Sequence, residues 1–312
     1  MSAAEDKCCK DWGRFLWSEY YQEFPYFTEE AVRPGCHPCR LLHEKPAAKA
    51  IVLVHGLTDS PYYMRSIAEY FYEMLGYDVY LPLLQGHGLR HPDNMAGVSL
   101  EEWKKNVLFA IRFAAERAAQ VSVGGLSTGG ALSFYFGCTE PQVTGDIYLF
   151  SVAFGLYGGG YNIFSGILES LLSNSCFRLL DNGKPLVGSH PYRYDRVPLK
   201  SAGELVRLIR EIDALHQTAA DRSGAKRIFS AWSEHDRVIN VKEIERVRNV
   251  TGTNQFISFV IPDAVRVDHA CLVLKEPIYP VDSQPGEAPL EAANPCFAEM
   301  MAALQRFESA GC

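Results

Sequence analysis

The sequence has no excess of basic residues. Its 30 lysines and arginines stand against 37 aspartates and glutamates, so the formal net charge at pH 7 is −7. A protein that binds nucleic acid presents a patch or stripe of positive charge that neutralises phosphates, and this sequence contains no such stripe. We therefore expect no nucleic-acid partner.

Long hydrophobic runs are also missing. No stretch approaches the roughly 18 consecutive apolar residues that a transmembrane helix requires. The first residues, MSAAEDKCCK, lack the apolar segment of a secretory signal. Nine cysteines in a chain without an export signal indicate reduced thiols. We expect a cytoplasmic protein without a transmembrane segment, and the sequence leaves its oligomeric state open.

A metal site has little support. Cys36 and Cys39 form a C-x-x-C pair, which can be a redox pair or half of a zinc site, but no second pair of this kind follows. His43 is the one other nearby candidate ligand. We interpret the two cysteines as structural residues at the entry to an early strand, Arg40 to His43, and expect no metal and no cofactor.

The hydrophobic residues occur in short runs that are typical of buried parallel strands. They make up 47% of the chain, and apolar runs such as residues 50–54 and 146–152 alternate with helical patterns. This alternation predicts an α/β fold with a mostly parallel, doubly wound sheet. Residues 50–154 and 221–312 form the predicted core. Residues 1–49 form an aromatic N-terminal extension, predicted to pack on that core as a helix.

The alternation of strands and helices stops between residues 155 and 220. A run of three glycines precedes an amphipathic helical pattern, and a second helix is predicted from Ser201 to Gln217. We interpret residues 155–220 as a cap inserted over the carboxyl ends of the strands, where ligands bind in doubly wound sheets. Its large apolar side chains predict an apolar substrate pocket, formed by Tyr157, Tyr161, Phe164, Ile167 and Leu168.

A serine flanked by glycines lies between a predicted strand and a predicted helix. The segment Gly125-Leu126-Ser127-Thr128-Gly129 matches the G-x-S-x-G pattern of a nucleophile elbow, whose serine sits in strained backbone with its hydroxyl exposed. Glycine at the flanking positions avoids pressing a side chain against the neighbouring strand or helix. Ser127 is therefore a candidate nucleophile, and the alternative is a glycine-rich turn between two packed elements.

A serine nucleophile needs a base, and the base needs an acid that orients it. Asp236 follows a later predicted strand, and His269 follows the last one. These two residues are the candidate acid and base. Asp268 competes for the role of the acid and His235 for the role of the base.

Three further histidines lie in loops at the same edge of the predicted sheet. His55 begins the turn after the first core strand, and we expect it to support that turn through hydrogen bonds. His87 and His91 lie in a loop near the rim of the pocket. Contact with substrate is one possibility for them, and a solvated position is the favoured interpretation. Cys271, two residues after His269, is interpreted as a small buried packing residue.

Five segments occur in one order along residues 50 to 275. In these motifs the chain resembles the α/β-hydrolases of the carboxylesterase and monoacylglycerol lipase type, the serine-aminopeptidase-like group. The order serine, aspartate, histidine is that of α/β-hydrolases. The segments are His55-Gly56-Leu57-Thr58 with Ser60-Pro61, Leu83-Leu84-Gln85-Gly86-His87-Gly88, Gly125-Leu126-Ser127-Thr128-Gly129, His235-Asp236-Arg237-Val238-Ile239 and Asp268-His269.

The resemblance implies an α/β-hydrolase fold with an inserted helical cap. It implies Ser127 as the nucleophile, Asp236 as the orienting acid and His269 as the base. It also implies an oxyanion hole formed by the backbone N–H groups of Leu57 and Thr128. The chain departs from the pattern in its long aromatic N-terminal extension and in the long stretch between His269 and the final helix.

The expected activity is that of a serine hydrolase that cleaves small-molecule carboxylic esters through an acyl-enzyme intermediate. Short or medium acyl esters, or monoacylglycerols, are the expected substrates. A thioesterase or a peptidase could use the same triad, because the sequence does not separate these acyl transfers. A third alternative is a non-catalytic member of the group that uses the pocket to bind a ligand.

Overall fold

We analysed a computed structural model of the 312-residue chain. The structure describes residues 12–157, 185–218, 226–251 and 255–311. The first predicted cap helix, with Tyr161 and Phe164, lies outside the described residues.

The described residues form seven strands of one sheet. They are β1 (Cys39–Leu41), β2 (Lys49–Val54), β3 (Asp78–Leu81), β4 (Gln120–Leu126), β5 (Ile147–Phe150), β6 (Ile228–Ser233) and β7 (Phe256–Ile261). Their order in the sheet is β1-β3-β2-β4-β5-β6-β7. Among these described strands β1 runs antiparallel to its neighbour β3, and the other pairs are parallel. The predicted α/β fold with a mostly parallel sheet is thus confirmed.

Helices cover both faces of this sheet. Successive side chains of a strand point to opposite faces, and β2 shows the result: Val52 belongs to one hydrophobic cluster and Ile51 to the other. The described helices are α1 (Ser18–Glu23), α2 (Arg65–Leu75), α3 (Leu100–Ala115), α4 (Thr128–Thr139), α5 (Leu199–Thr218), α6 (Val241–Thr251) and α7 (Phe297–Ser309). The first cluster includes residues of α3 and α4, and the second includes residues of α2 and α7.

The N-terminal extension contacts the first of these clusters through aromatic side chains. Trp17 and Tyr20 are fully buried. The Trp17 ring lies 5.5 Å from that of Phe109 in α3, and the Tyr20 hydroxyl donates to the Leu83 carbonyl at 2.7 Å. Little of the extension is helical, because α1 has six residues and ends before Pro25. Proline disfavours helical backbone at the residue that precedes it.

Two helices begin with different local features. Pro61 opens a short 3-10 helix over Pro61–Met64, and the α-helix itself starts at Arg65. Ser99 caps α3 by accepting a hydrogen bond from the Glu102 N–H at 3.2 Å. The Ser99 N–H donates to the Gln85 side chain at 3.1 Å.

Cys36 and Cys39 are both buried, and neither forms a disulfide. Cys39 opens β1, so this strand starts one residue before the predicted Arg40 and ends at Leu41. Among the described residues, no helix combines the length and hydropathy that crossing a bilayer requires.

Candidate active site

Ser127 lies at a sharp turn between β4 and α4. Its backbone angles are φ 55° and ψ −114°, a conformation that a residue with a side chain rarely adopts. The flanking glycines are required by space: a Cβ at Gly125 would lie 2.4 Å from the Val54 carbonyl oxygen, and one at Gly129 only 2.1 Å from it. The G-x-S-x-G segment therefore has the backbone geometry of a nucleophile elbow.

His269 and Asp236 meet at the carboxyl end of the sheet. The Nδ1–H of His269 donates to Asp236 Oδ2 at 2.6 Å. The other carboxylate oxygen, Oδ1, accepts hydrogen bonds from the N–H groups of Val238 at 2.8 Å and Ile239 at 3.2 Å. Asp236 is 1% exposed. Its carboxylate is held in one orientation because it accepts from three donors. Ser127 and His269 line the same cavity.

This pairing sets the charges of both groups. Burial opposes the ionised form of Asp236, but His269 and the two backbone donors outweigh burial and hold its pKa below the ordinary value. Burial likewise opposes the charged imidazolium of His269, but the Asp236 carboxylate raises the pKa of His269 above its ordinary value of 6.5. An ionised acid next to an imidazole with a raised pKa is the arrangement that a general base requires.

The pH dependence of activity follows from this pairing. His269 accepts a proton only when it is neutral, so activity must rise with pH as His269 loses its proton. Because the pKa of His269 is raised, we expect the acid limb of kcat/KM for a nitrophenyl test substrate, with His269 as the base, to have its midpoint above 6.5. Initial rates followed at the isosbestic wavelength of nitrophenol would measure it. A midpoint at or below the ordinary histidine value would contradict the expected pairing.

The competing assignments have different surroundings. His235 is paired through Nδ1 with Asp263 at 3.0 Å in an exposed loop. Asp268 lines the cavity, but the Nδ1–H of His269 donates its hydrogen bond to Asp236. The geometry therefore favours Asp236 and His269 over Asp268 and His235.

Leu57 and Thr128, the predicted oxyanion donors, come from two different turns. Leu57 lies in the turn that follows β2, and Thr128 is the first residue of α4, where a backbone N–H has no partner within the helix. His55 supports the first turn, as expected: its Nε2 accepts from the Leu84 N–H at 3.2 Å, and its Nδ1 lies 2.8 Å from the Gly56 carbonyl oxygen.

The favoured interpretation of His87 as a solvated residue is wrong. This side chain is fully buried, and its Nε2 contacts the Leu57 carbonyl oxygen. Its Nδ1 lies 3.2 Å from the Leu84 carbonyl oxygen. Glycines on both sides of His87 made the segment resemble an open loop, whereas the ring is packed beneath the Leu57 turn. His91 is exposed.

A cavity of about 390 Å³ opens next to Ser127. Leu57, Tyr157 and Cys271 line it. The predicted pocket residue Tyr157 is thus at the cavity. Apolar lining residues also include Leu156, Val197, Ala202, Leu205 and Val238, and the charged ones are Asp59, Arg193, Arg237, Asp268 and Glu291.

Sequence reasoning missed three of the charged residues in this lining. Asp59 stands two residues after Leu57 in the same turn, which was a usable signal. Glu291 lies in the long stretch after His269, whose unusual length indicates a part in shaping the entrance but marks no single residue. No pattern in the sequence marked Arg193.

The sequence profile of the Hydrolase_4 family, described as serine aminopeptidase, S33, matches residues 45–252. The chain belongs to this family. The match runs from β2 to α6 and includes the elbow. It agrees with the resemblance to the serine-aminopeptidase-like group.

Two curated proteins share shorter stretches with this Hydrolase_4 chain. A thermostable monoacylglycerol lipase from Bacillus sp. (strain H-257) is 34% identical over 116 residues, which cover 35% of this chain and 46% of that protein. A carboxylesterase from Bacillus subtilis (strain 168) is 33% identical over 98 residues, 31% of this chain and 39% of that protein. The chain thus spans less than half the length of these relatives.

Solved structures establish the fold over nearly the whole chain. A metagenome-derived lipolytic enzyme is similar with a TM-score of 0.58 at 18% identity, over 89% of this chain and 99% of that one. A soluble variant of monoglyceride lipase from Saccharomyces cerevisiae, in complex with a substrate analog, gives a TM-score of 0.58 at 11% identity, over 91% and 97%. The predicted α/β-hydrolase fold is confirmed.

Proposed function

We propose that this protein is a serine hydrolase that cleaves carboxylic esters through an acyl-enzyme intermediate. The observation that carries the proposal is the geometry at one cavity: Ser127 in an elbow conformation lines the same cavity as His269, which is bonded to the buried Asp236 at 2.6 Å. The similarity of part of the chain to a monoacylglycerol lipase and a carboxylesterase supports the same class of reaction.

In the proposed reaction the Ser127 hydroxyl attacks the ester carbonyl carbon. His269 takes the hydroxyl proton on Nε2, since Nδ1 is bonded to Asp236. The N–H groups of Leu57 and Thr128 donate to the negative oxygen of the tetrahedral intermediate. His269 then returns the proton to the alcohol oxygen as the ester bond breaks. A water molecule, deprotonated by His269, then attacks the acyl carbon. The bond to Ser127 Oγ breaks, His269 returns the proton to Oγ, and the acid leaves.

The cavity favours substrates of modest size. About 390 Å³ lies near the lower end of the range for small-molecule sites. We propose short or medium acyl esters, or monoacylglycerols, as substrates. Val197, Ala202 and Leu205 come from residues 185–218 and line the cavity, which supports the proposal that residues 155–220 form a cap over the site. Tyr161 and Phe164 stay predictions as pocket residues.

A substrate panel tests the proposal. Nitrophenyl esters of increasing acyl length, an acyl thioester and an aminoacyl anilide are compared by kcat/KM on the purified protein. We expect oxygen esters of short to medium length to be the best substrates. A preference for the thioester or the anilide would assign the triad to thioesterase or peptidase chemistry. No turnover of any member, together with no labelling of Ser127 by a fluorophosphonate, would leave a ligand-binding role.

A further inference from the structure

Residues 190–195, here called the strap, connect the turn after Leu57 to the long stretch that follows His269. The strap begins at the buried His190 and leads towards α5. It carries Arg193 and Tyr194. The Arg193 side chain bonds Thr58, in the turn that contains Leu57, and Glu291 of the long stretch. The Tyr194 hydroxyl donates to the Gly86 carbonyl oxygen at 2.9 Å and accepts from the Leu89 N–H at 3.0 Å. The proposed reaction gives the strap no role.

Two consecutive strap residues hold two consecutive turn residues. The Tyr194 N–H donates to the Thr58 carbonyl oxygen at 2.9 Å. The Arg193 Nη2 donates to Thr58 Oγ1 at 3.2 Å, and its Nε lies 3.6 Å from Asp59 Oδ1. Leu57, whose N–H is the proposed oxyanion donor, directly precedes these residues. The strap therefore restrains the turn from which that donor projects.

Arg193 is itself held by Glu291. Its Nη1 donates to Glu291 Oε1 at 2.5 Å, and the other oxygen of Glu291 accepts from the Tyr63 hydroxyl at 2.7 Å. The Glu291 backbone pairs with Ile278 across the long stretch, which fixes its position. The Arg193 guanidinium thus has a defined orientation although its side chain is 26% exposed. A planar guanidinium that uses several donors at once is poorly replaced by lysine.

The Asp59 carboxylate is buried next to the nucleophile. A Cβ built on Gly56 would lie 2.3 Å from Asp59 Oδ2 and 3.5 Å from the Cβ of Ser127, so the carboxylate and the nucleophile contact the same glycine. A negative charge here opposes the negative oxygen that forms during attack. Arg193 supplies the compensating positive charge.

We propose that Arg193 is a positioning residue for the oxyanion hole, which holds the Leu57 turn in place and neutralises Asp59 beside Ser127. Glu291 orients Arg193 for this task. This inference rests on the proposed ester hydrolysis. It makes the rate of that reaction depend on residues far from Ser127 in the sequence. The stretch after His269, through Glu291, becomes part of what keeps the oxyanion donor in place.

The charges around His269 give this idea a pH signature. Asp236 and Asp59 raise the pKa of His269, and Arg193 lowers it. Burial raises the pKa of Asp59, which Arg193 opposes and Glu291 reinforces. Removing the Arg193 charge should therefore move the acid limb of kcat/KM to higher pH, and removing the Asp59 charge should move it to lower pH.

The experiment compares Arg193→Gln, Asp59→Asn and the double variant with the wild-type protein. For Arg193→Gln we expect kcat to fall about 100-fold, the lower end of the loss caused by deleting one oxyanion donor, while KM changes little. Affinity for a trifluoromethyl ketone, whose adduct with serine carries the same oxyanion, should fall in parallel. Adding Asp59→Asn to Arg193→Gln should raise kcat about tenfold above that of Arg193→Gln, because the uncompensated negative charge is removed.

Controls separate this role from general loss of structure. Arg196→Gln changes an arginine that follows the strap and bonds the exposed Asn94, and it should retain wild-type kcat. Glu291→Gln should lose several-fold in kcat, whereas Glu287→Gln, in the same long stretch but exposed, should not. If Arg193→Gln does not fold, Asp59→Asn and Glu291→Gln give the pH shift and the kcat loss independently.

Several results would overturn the inference. The first is an Arg193→Gln variant that loses no more kcat than Arg196→Gln. The second is an Arg193→Gln variant whose only change is in KM. The third is a double variant that is less active than Arg193→Gln and shows no shift of the acid limb. A wild-type protein that turns over no ester would instead refute the proposed function. In that case the rates of fluorophosphonate labelling of Ser127 in the same variants would still decide the role of Arg193.

Discussion

Replacing Ser127 with alanine is expected to lower kcat for ester hydrolysis by about 10⁶-fold, the loss seen when a triad serine is removed. Alanine has no hydroxyl to attack the ester carbonyl. The oxyanion donors and the cavity remain, so a residual acceleration over water of about 10³-fold should persist. Single-turnover kinetics on the best nitrophenyl ester, together with loss of fluorophosphonate labelling, would measure the effect.

The fold should survive this change. Ser127 already holds its strained φ of 55° with a Cβ present, and alanine adds no atom that must be accommodated. The midpoint of thermal unfolding should therefore stay close to that of the wild-type protein. Ser309→Ala, an exposed serine of α7, is the matched control and should keep full activity. An alanine variant at position 127 with more than a few per cent of wild-type kcat would mean that another group is the nucleophile.

The elements that position this serine could be predicted from the sequence for a simple reason. Residues 50–54 of β2 are buried on both faces of the sheet, so this apolar run has no polar alternation that could confuse strand with loop. A Cβ at position 125 or 129 would lie under 2.5 Å from the Val54 carbonyl oxygen of β2, so both positions require glycine. Because the two glycines stand at fixed positions around the serine, this requirement is visible as a pattern in the sequence.

The contacts around the turn at residues 55–59 could not be predicted from the sequence in this way. Arg193 and Glu291 are 98 residues apart, and Arg193 and Thr58 are 135 apart. Such pairings depend on how loops from four regions meet at the end of the sheet, which no periodicity encodes. His87 shows the same difficulty, because its burial depends on the Leu57 carbonyl oxygen, which is 30 residues away in the chain.

These long-range contacts restrain the same turn. His55 within residues 55–59, the buried His87, the strap and Glu291 hold this turn either directly or through Arg193. In the proposed reaction the N–H of Leu57 donates to the oxyanion from this turn, and donors that are fixed beforehand stabilise an oxyanion best. The N-terminal extension contributes to the same support, since Tyr20 bonds Leu83 next to the residue that binds His55.

Replacing Asp236 with asparagine is expected to lower kcat/KM by about 10⁴-fold near neutral pH. Asparagine keeps an oxygen that can accept from the N–H groups of Val238 and Ile239, so its amide nitrogen turns towards His269. That nitrogen donates to Nδ1, which forces the imidazole proton onto Nε2. His269 then presents a donor to Ser127 and cannot take its proton.

Asp263→Asn is the matched control for this change. Asp263 bonds Nδ1 of His235 at 3.0 Å, so it forms the same kind of pair, but in an exposed loop. It should retain wild-type kcat/KM and the wild-type acid limb. In Asp236→Asn the carboxylate that raises the pKa of His269 is gone, so the remaining acid limb should move to lower pH. A loss of less than tenfold would show that Asp236 does not set the tautomer of the base, and Asp268 would then have to be tested in its place.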